Sequence, residues 1–281
     1  MSDTMAPGIH GPIPPSRFLP YLTSPEIGAL DKSRAAVVLP VGAIEQHGPH
    51  LPTGTDTITG TVLLGRALAR LPEDLPCYAL PPTNYGKSNE HIEFPGTFTL
   101  SGNTLGLLIT EIAQSAARAG FRRFVILNSH GGNPPVIDMV ARDIHQSTGM
   151  MVFPFSTQRL GASREFLSEE ERMHGMHAGD GETSTILALA PELVHLDRRV
   201  GDYPNVPAGF ALPTMPSGIT FAWLTSDFSS DGVCGDPSTA TAEKGQKIVE
   251  VAVSRLAEAL TAICNFEMPG GRRVSQGAAK V

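Results

Sequence analysis

The stretch Val41-Gly42-Ala43-Ile44-Glu45-Gln46-His47-Gly48, followed by Thr53-Gly54-Thr55-Asp56, decides how this chain is read. It comes directly after the apolar run Ala35-Ala36-Val37-Val38-Leu39-Pro40, which has the character of a buried strand. A buried strand that ends in Glu-x-His delivers polar groups to its carboxyl end. In extended backbone, residues i and i+2 point to the same side, so Glu45 and His47 reach one small volume. Asp56 follows nine residues after His47, beyond a Gly/Pro/Thr turn that can fold it back. Two carboxylates and an imidazole converging in this way suit Zn²⁺, Mn²⁺ or Fe²⁺. Taken alone, the same residues fit a satisfied buried histidine, a helix-capping carboxylate and an N-cap equally well. The rest of the chain has to choose between these readings.

The strand is the first of several. Apolar runs at Cys77–Leu80, Phe124–Leu127 and Met150–Phe155 alternate with segments of helical spacing at Thr57–Leu71, Asn103–Gly120 and from Pro134 through His145. That rhythm predicts right-handed βαβ units on a mostly parallel sheet, an α/β fold. A last helix is expected to start at Asp236-Pro237 and to run to about Cys264. Residues 1–24 are read as an N-terminal arm over the surface and 269–281 as a frayed, flexible tail. The whole of 1–281 is expected to form one hydrolase domain. Glu169-Glu170-Glu171-Arg172 is read as a solvated helical face. The stretches 84–97 and 201–235 are read as long loops around the site.

Composition narrows the function classes. The 281 residues are 41% hydrophobic and 17% charged, enough for a sizeable core. The net charge of −7 argues against nucleic acid and against an anionic membrane surface. No apolar run approaches the roughly 20 residues that span a bilayer. No secretory signal is visible, and three widely spaced cysteines fit a reduced, cytoplasmic setting. No Gly-x-Gly-x-x-Gly or Walker loop follows any strand, so nucleotide binding has no local support.

Ligands in a parallel sheet bind at the carboxyl ends of the strands. The third strand runs into Asn128-Ser129-His130-Gly131-Gly132-Asn133, and the segment His177-Ala178-Gly179-Asp180-Gly181-Glu182 enters a helix N-terminus. Glu45, His47, Asp56, His130 and Glu182 therefore converge from three separate places. Burying these carboxylates without cations would cost several kcal/mol, on the order of the penalty for unpaired buried charge. Five ligands exceed the roughly three of an open catalytic zinc and suit two divalent ions with one bridging carboxylate. Asp56 is the expected bridge, with Glu45 and His130 on one ion and His47 and Glu182 on the other. Such a pair can hold a hydroxide and polarise a carbonyl. His177 is placed as the general acid, or else as a substrate-orienting or alternative metal-binding histidine. Glu90 and His91 can reach the site or only stabilise their loop. His10, His50, His145 and His195 are read as surface or packing residues.

These motifs, together with Glu90-His91-x-x-Phe94-Pro95-Gly96-Thr97 and the later Gly232-Val233-x-Gly235-Asp236-Pro237, resemble those of the creatininase family over about residues 35–265. The resemblance implies a three-layer α/β/α domain, a dinuclear centre with zinc or manganese, sometimes iron, and a homo-oligomer, often a hexamer. It implies hydrolysis of C–N bonds in small amides, many of them cyclic. Other members resemble formamide deformylases, peptide-trimming enzymes for a peptide-derived cofactor, and lactonases. Creatininase itself carries a metal-binding glutamate two residues after the strand-three histidine and an aromatic residue beside that histidine. Here Gly132 and Gly131 stand at those positions, as in the broader family. The expected function is a metal-dependent amidohydrolase acting on a small, cyclic amide. A lactonase or deformylase with the same centre is the alternative, and a non-catalytic metal-binding module is the reading from another class.

Overall fold

Four apolar runs pair into one parallel sheet. They are β1 (Ala36–Val41), β2 (Cys77–Ala79), β3 (Arg123–Asn128) and β4 (Met151–Ser156), in the order β2-β1-β3-β4. The computed structural model describes residues 10–213, 215 and 218–268. Among the described residues, seven α-helices accompany the sheet: α1 (Ser24–Ala29), α2 (Thr55–Arg70), α3 (Gly102–Arg118), α4 (Pro134–Thr148), α5 (Glu169–His174), α6 (Asp180–Leu189) and α7 (Ala242–Asn265). The expected βαβ rhythm holds from β1 to β4.

The two-residue period of a strand sorts the core into two halves. Ala36 and Val38 of β1 and Val125 and Leu127 of β3 face one way, where Leu64 and Leu68 of α2 and Val253, Leu256 and Leu260 of α7 cover them. Val37, Leu39 and Val41, with Phe124 and Ile126, face the other way, against Leu105 and Ile109 of α3 and Ile137, Val140 and Ile144 of α4. The outcome is three layers with the sheet in the middle, and every residue of β1 and β3 is buried. This is the continuous apolar character expected of strands covered on both faces.

The topology also locates the site. The chain goes from β1 outward to β2, then crosses to β3 on the opposite side of β1. The order of strands reverses between β1 and β3. Their pairing is in register to the last residue, with Val41 opposite Asn128. The segments leaving the two strands therefore diverge at one level toward opposite faces, α2 on one and α4 on the other, and open a crevice there.

Two boundary expectations change. The described part of the N-terminal segment, from residue 10, does not simply lie over the surface: Ile13 and Phe18 are fully buried in the core on the α2 side. Arg17 donates to the carbonyls of Leu71, Pro72, Leu75 and Cys77, satisfying backbone acceptors at the end of α2 and the entry of β2. The last helix starts at Ala242 rather than at Asp236. Asp236 does cap a turn, accepting from Ser238 N, but that turn is a single 3₁₀ turn over Pro237–Thr239. Ala240 is extended, and Thr241 caps α7 by accepting from Lys244 N. The expected tail at 269–281 lies outside the described residues. Cys77, Cys234 and Cys264 are free and buried. No helix among the described residues is long and apolar enough to cross a membrane.

Candidate metal centre

Each candidate side chain reaches the crevice for a local reason. The loop after β1 is closed by Glu45 N donating to Thr53 O at 3.0 Å, which turns the chain back so that α2 can start. Gly54 caps α2, and Asp56 sits in its first turn, where the helix dipole favours a carboxylate. His130 leaves the end of β3, its backbone N held by Asn128 Oδ1. Glu182 sits in the first turn of α6, accepting from Ala178 N at 2.7 Å. Ala178 takes a left-handed φ of 55° to make that turn. An L-residue there costs about 1 kcal/mol. The helix starts at Asp180, so Glu182 lies within its first turn.

The six predicted residues come together. His130 Nδ1 lies 3.2 Å from Glu45 Oε1 and 3.1 Å from Asp56 Oδ2. His47 Nε2 lies 3.8 Å from Asp56 Oδ1, 3.9 Å from Glu45 Oε1 and 4.0 Å from Glu182 Oε2. His177 Nδ1 lies 3.7 Å from Glu45 Oε1, and its ring stacks on that of His47 with centroids 4.2 Å apart. The two oxygens of Asp56 are thus divided, one toward each histidine. Among the described residues, Glu45 Oε2, His47 Nε2 and Asp56 Oδ2 are buried atoms with no hydrogen-bond partner. Three orphaned polar atoms around one point cost several kcal/mol unless something positive satisfies them, on the order of 1–3 kcal/mol each. Glu45, Asp56 and His130 form one ligand group of the right size, and His47, His177 and Glu182 form another.

Backbone carbonyls decide which ring nitrogens are free. His130 Nε2 is 3.0 Å from Lys87 O, His47 Nδ1 is 3.1 Å from Glu45 O, and His177 Nε2 is 2.6 Å from Gln46 O. A carbonyl only accepts, so each of these nitrogens carries the proton. The opposite nitrogens of His47 and His177, Nε2 and Nδ1, present lone pairs to the centre, while His130 Nδ1 meets the carboxylates of Glu45 and Asp56, where a proton or a cation can sit. This is the second contact that orients metal-binding histidines.

The titration behaviour has the same origin. Burial opposes charge on His130, but Glu45, Asp56 and Glu90 outweigh it and hold its imidazole well above the usual range. Burial opposes ionisation of Glu45, yet His130, His91 and His177 keep its carboxyl well below the usual range. Burial, then the neighbouring His47, lowers His177, which rests neutral. Burial pushes Glu182 up to about 7, helped by Asp56 and Glu45. A carboxyl that holds its proton to higher pH in the folded chain contributes stability that is complete below about pH 4.5 and lost as pH rises through 7. The Glu182 side chain is 36% exposed, so solvent screening reduces the effect. Glu182→Gln mimics the protonated form. Without metal it is expected to match the parent at pH 5 and to exceed it by about 1 kcal/mol at pH 8, read from urea midpoints.

Several residues enter the site that the sequence left open or assigned elsewhere. His91 is buried, its Nε2 lies 3.5 Å from Glu45 Oε1, and its ring stacks on His177 at 4.1 Å. Glu90 Oε1 lies 3.3 Å from His130 Nε2. A Cβ on Gly132 would fall 2.0 Å from that same Glu90 oxygen, so Glu90 occupies the space that a side chain at 132 would need. His50 is a packing residue as expected: fully buried, bonded to Thr183 Oγ1, and lowered to about 4 by burial. Ser129 turns away from His130 toward Gly60 and the Val41 carbonyl. Glu171 is a correction, since it is buried rather than solvated. It accepts from Asp180 N, Asp236 N and Tyr203 Oη. Of three consecutive glutamates, only this one faces the loop that carries His177.

Known proteins show the same arrangement of chain. The family model described as creatinine amidohydrolase matches residues 20–260. A mycofactocin precursor peptide peptidase from Mycobacterium ulcerans is 35% identical over 232 residues, 79% of this chain and 84% of the relative. A creatinine amidohydrolase from Pseudomonas putida is 33% identical over 246 residues, 80% and 88% of the two chains. A solved creatininase variant of the Zn-Zn type superposes with a TM-score of 0.70 at 30% identity, covering 86% of this chain and 96% of that one. With its parallel sheet, its matching length and a family model covering most of its residues, this chain is a hydrolase of the creatininase family.

Proposed function

We propose that this protein is a metal-dependent amidohydrolase. Glu45 and His130 would hold one divalent ion, His47 and Glu182 a second, and Asp56 would bridge them. The observation that carries the reading is the division of the Asp56 carboxylate, with Oδ2 3.1 Å from His130 and Oδ1 3.8 Å from His47. Oxygen and imidazole donors without thiolate suit Zn²⁺ and Mn²⁺, with Fe²⁺ also acceptable. When bound, such an ion pair acidifies a water and polarises the scissile carbonyl.

The chain's own residues supply the proton chemistry. His177 Nε2 is tied to Gln46 O, so its neutral Nδ1 faces the centre as a proton acceptor. It takes a proton from the attacking water at Nδ1 and returns it to the leaving nitrogen, acting as base and then as acid. Glu182 stands beside the same lone pair and steadies the charge that His177 gains. A cavity of about 410 Å³ opens onto Asp56, His177 and Glu182, with Leu63, Ile248 and Val249 in its wall. An apolar wall beside polar chemistry suits a small organic amide.

The substrate favoured first is a small, cyclic amide. A second reading, a short peptide amide, draws on the cavity, which is roomier than one small ring needs, and on the 35% identical relative named for a precursor peptide. Metal analysis with a panel of cyclic amides, formamides, lactones and short peptides tests both. Two equivalents of zinc or manganese per chain and chelator-sensitive cleavage of one amide class are expected. Loaded protein inert to the whole panel sinks the catalytic reading, and turnover confined to lactones sinks the amide assignment.

A further inference from the structure

His91 is close enough to Glu45 and His177 to complete a third group of potential metal ligands. Its hydrogen bonds argue otherwise. The orientation of the Gln46 amide is fixed at both ends: Oε1 accepts from Gly48 N at 2.8 Å, and Nε2 donates to Gly232 O at 2.9 Å. The same Nε2 lies 2.8 Å from His91 Nδ1. An amide nitrogen only donates, so His91 Nδ1 must be the acceptor. Thr225 Oγ1, 2.9 Å away, is a second donor to it. A neutral imidazole accepts at one nitrogen and donates from the other. The proton of His91 is therefore on Nε2, the atom 3.5 Å from Glu45 Oε1. His47 and His177 turn lone pairs inward, while the neutral His91 turns a proton inward.

We propose that His91 is a positioning residue. It turns its Nε2 proton toward Glu45 Oε1, 3.5 Å away, and takes no metal. Its N–H faces the same Glu45 oxygen that lies 3.2 Å from His130 Nδ1 and 3.7 Å from His177 Nδ1, and so helps to hold that carboxylate at the centre. The device is built from three parts of the chain: the Glu45–His47 loop, the Glu90–His91 turn and the segment from Thr225 to Gly232. Gly232 makes the junction possible. Its φ is +82°, and a Cβ there would fall 2.0 Å from Gln46 Oε1. The segment 225–232 thereby sets the tautomer of a histidine at the centre, through one side-chain amide.

The consequence for the ion rests on the two-ion reading above, whereas the tautomer is a property of the metal-free chain. The two are tested separately. With ¹⁵N-labelled histidine, the metal-free protein is expected to show His91 protonated at Nε2 and bare at Nδ1. Zinc titration is expected to move the resonances of His47 and His130 and to leave His91 with its Nε2 proton. A proton on Nδ1, or loss of the Nε2 proton as zinc binds, overturns the proposal while leaving metal binding intact. Failure of zinc to bind at all would overturn the proposed function and not the tautomer. In a second arm, His91→Gln keeps a donor near the Nε2 position and is expected to hold kcat within about tenfold of the parent. His91→Leu is expected to lose a further 10- to 100-fold in kcat, about the value of one hydrogen bond to a charged group, with metal content unchanged. Equal losses in the two variants would overturn the proposal.

Discussion

Asp56→Ala is expected to drop bound metal from two equivalents to fewer than one and to lower kcat/KM by roughly 10⁴-fold or more. Among the described residues, no other carboxylate has one oxygen toward each of two histidines, His130 and His47. Removing it takes a ligand from both proposed ions at once and leaves each with two. The other proposed ligands serve one ion apiece, so their loss should cost less metal. His130→Ala is expected to lose one equivalent and most turnover. Folding is a separate matter. The only contact of Asp56 Oδ2 within the described residues is the His130 imidazole 3.1 Å away, which an amide oxygen at the same place can still accept from. Asp56→Asn, melted in chelator beside the parent, should therefore lie within a few degrees of it, whereas in excess zinc only the parent should be stabilised, by the free energy of binding to the folded state. Retained metal in Asp56→Ala would refute the bridge.

The parts of this site that were legible in the sequence share one property: each sits next to a feature that local patterning already fixes. Glu45 and His47 follow a buried strand, His130 ends another, and Asp56 and Glu182 open helices. Strand ends and helix N-termini are where a parallel sheet offers its crevice, so residue type and position spoke together. Metal-ligand spacing over a whole chain cannot be read this way, but convergence on one sheet edge can. His91 had no such neighbour. It lies in a short 3₁₀ turn inside a polar loop, and its burial comes from Gln46 and Thr225, 45 and 134 residues away in sequence. Its ambiguity in sequence was physical, since nothing local distinguishes a loop histidine that solvates from one that docks. The N-terminal segment failed for a similar reason. Gly and Pro punctuation marks turns correctly, as the 3₁₀ turns at 15–17 and 19–21 attest, but it says nothing about whether Ile13 and Phe18 find a partner surface.

Glu171→Ala is expected to be the most damaging change outside the centre, at about 3–5 kcal/mol and a fall in Tm on the order of 10 °C. Glu171 Oε1 accepts from Asp180 N at 2.8 Å, and Oε2 accepts from Asp236 N at 3.0 Å and Tyr203 Oη at 2.9 Å. Truncation would strand three donors at a junction of two loops and α6, and each buried donor left without a partner costs about 1–3 kcal/mol. The backbone has closed around this side chain. A Cβ at Gly179 would come within 2.0 Å of Glu171 Oε1, and one at Gly175 within 2.5 Å of its Cδ, so neither loop can collapse into the vacated space without moving. The segment between those glycines carries His177, and the helix that follows carries Glu182. Loss of stability should therefore come with loss of activity even in molecules that remain folded. Glu171→Gln gives an internal check. It restores one acceptor but turns its amide nitrogen toward donors on the other side, so it should recover only part of the lost stability. Burial raises the Glu171 carboxyl above its ordinary range, outweighing the bonds from Asp236, Tyr203 and Asp180. A raised carboxyl contributes stability that is lost as pH rises through its folded value. Differential scanning of the parent and both variants from pH 5 to pH 8 should show the parent's margin over Glu171→Ala largest at pH 5 and narrowing toward pH 8. A margin that widens with pH would mean that the ionised carboxylate is the favoured form and that the three bonds, rather than burial, dominate its energetics.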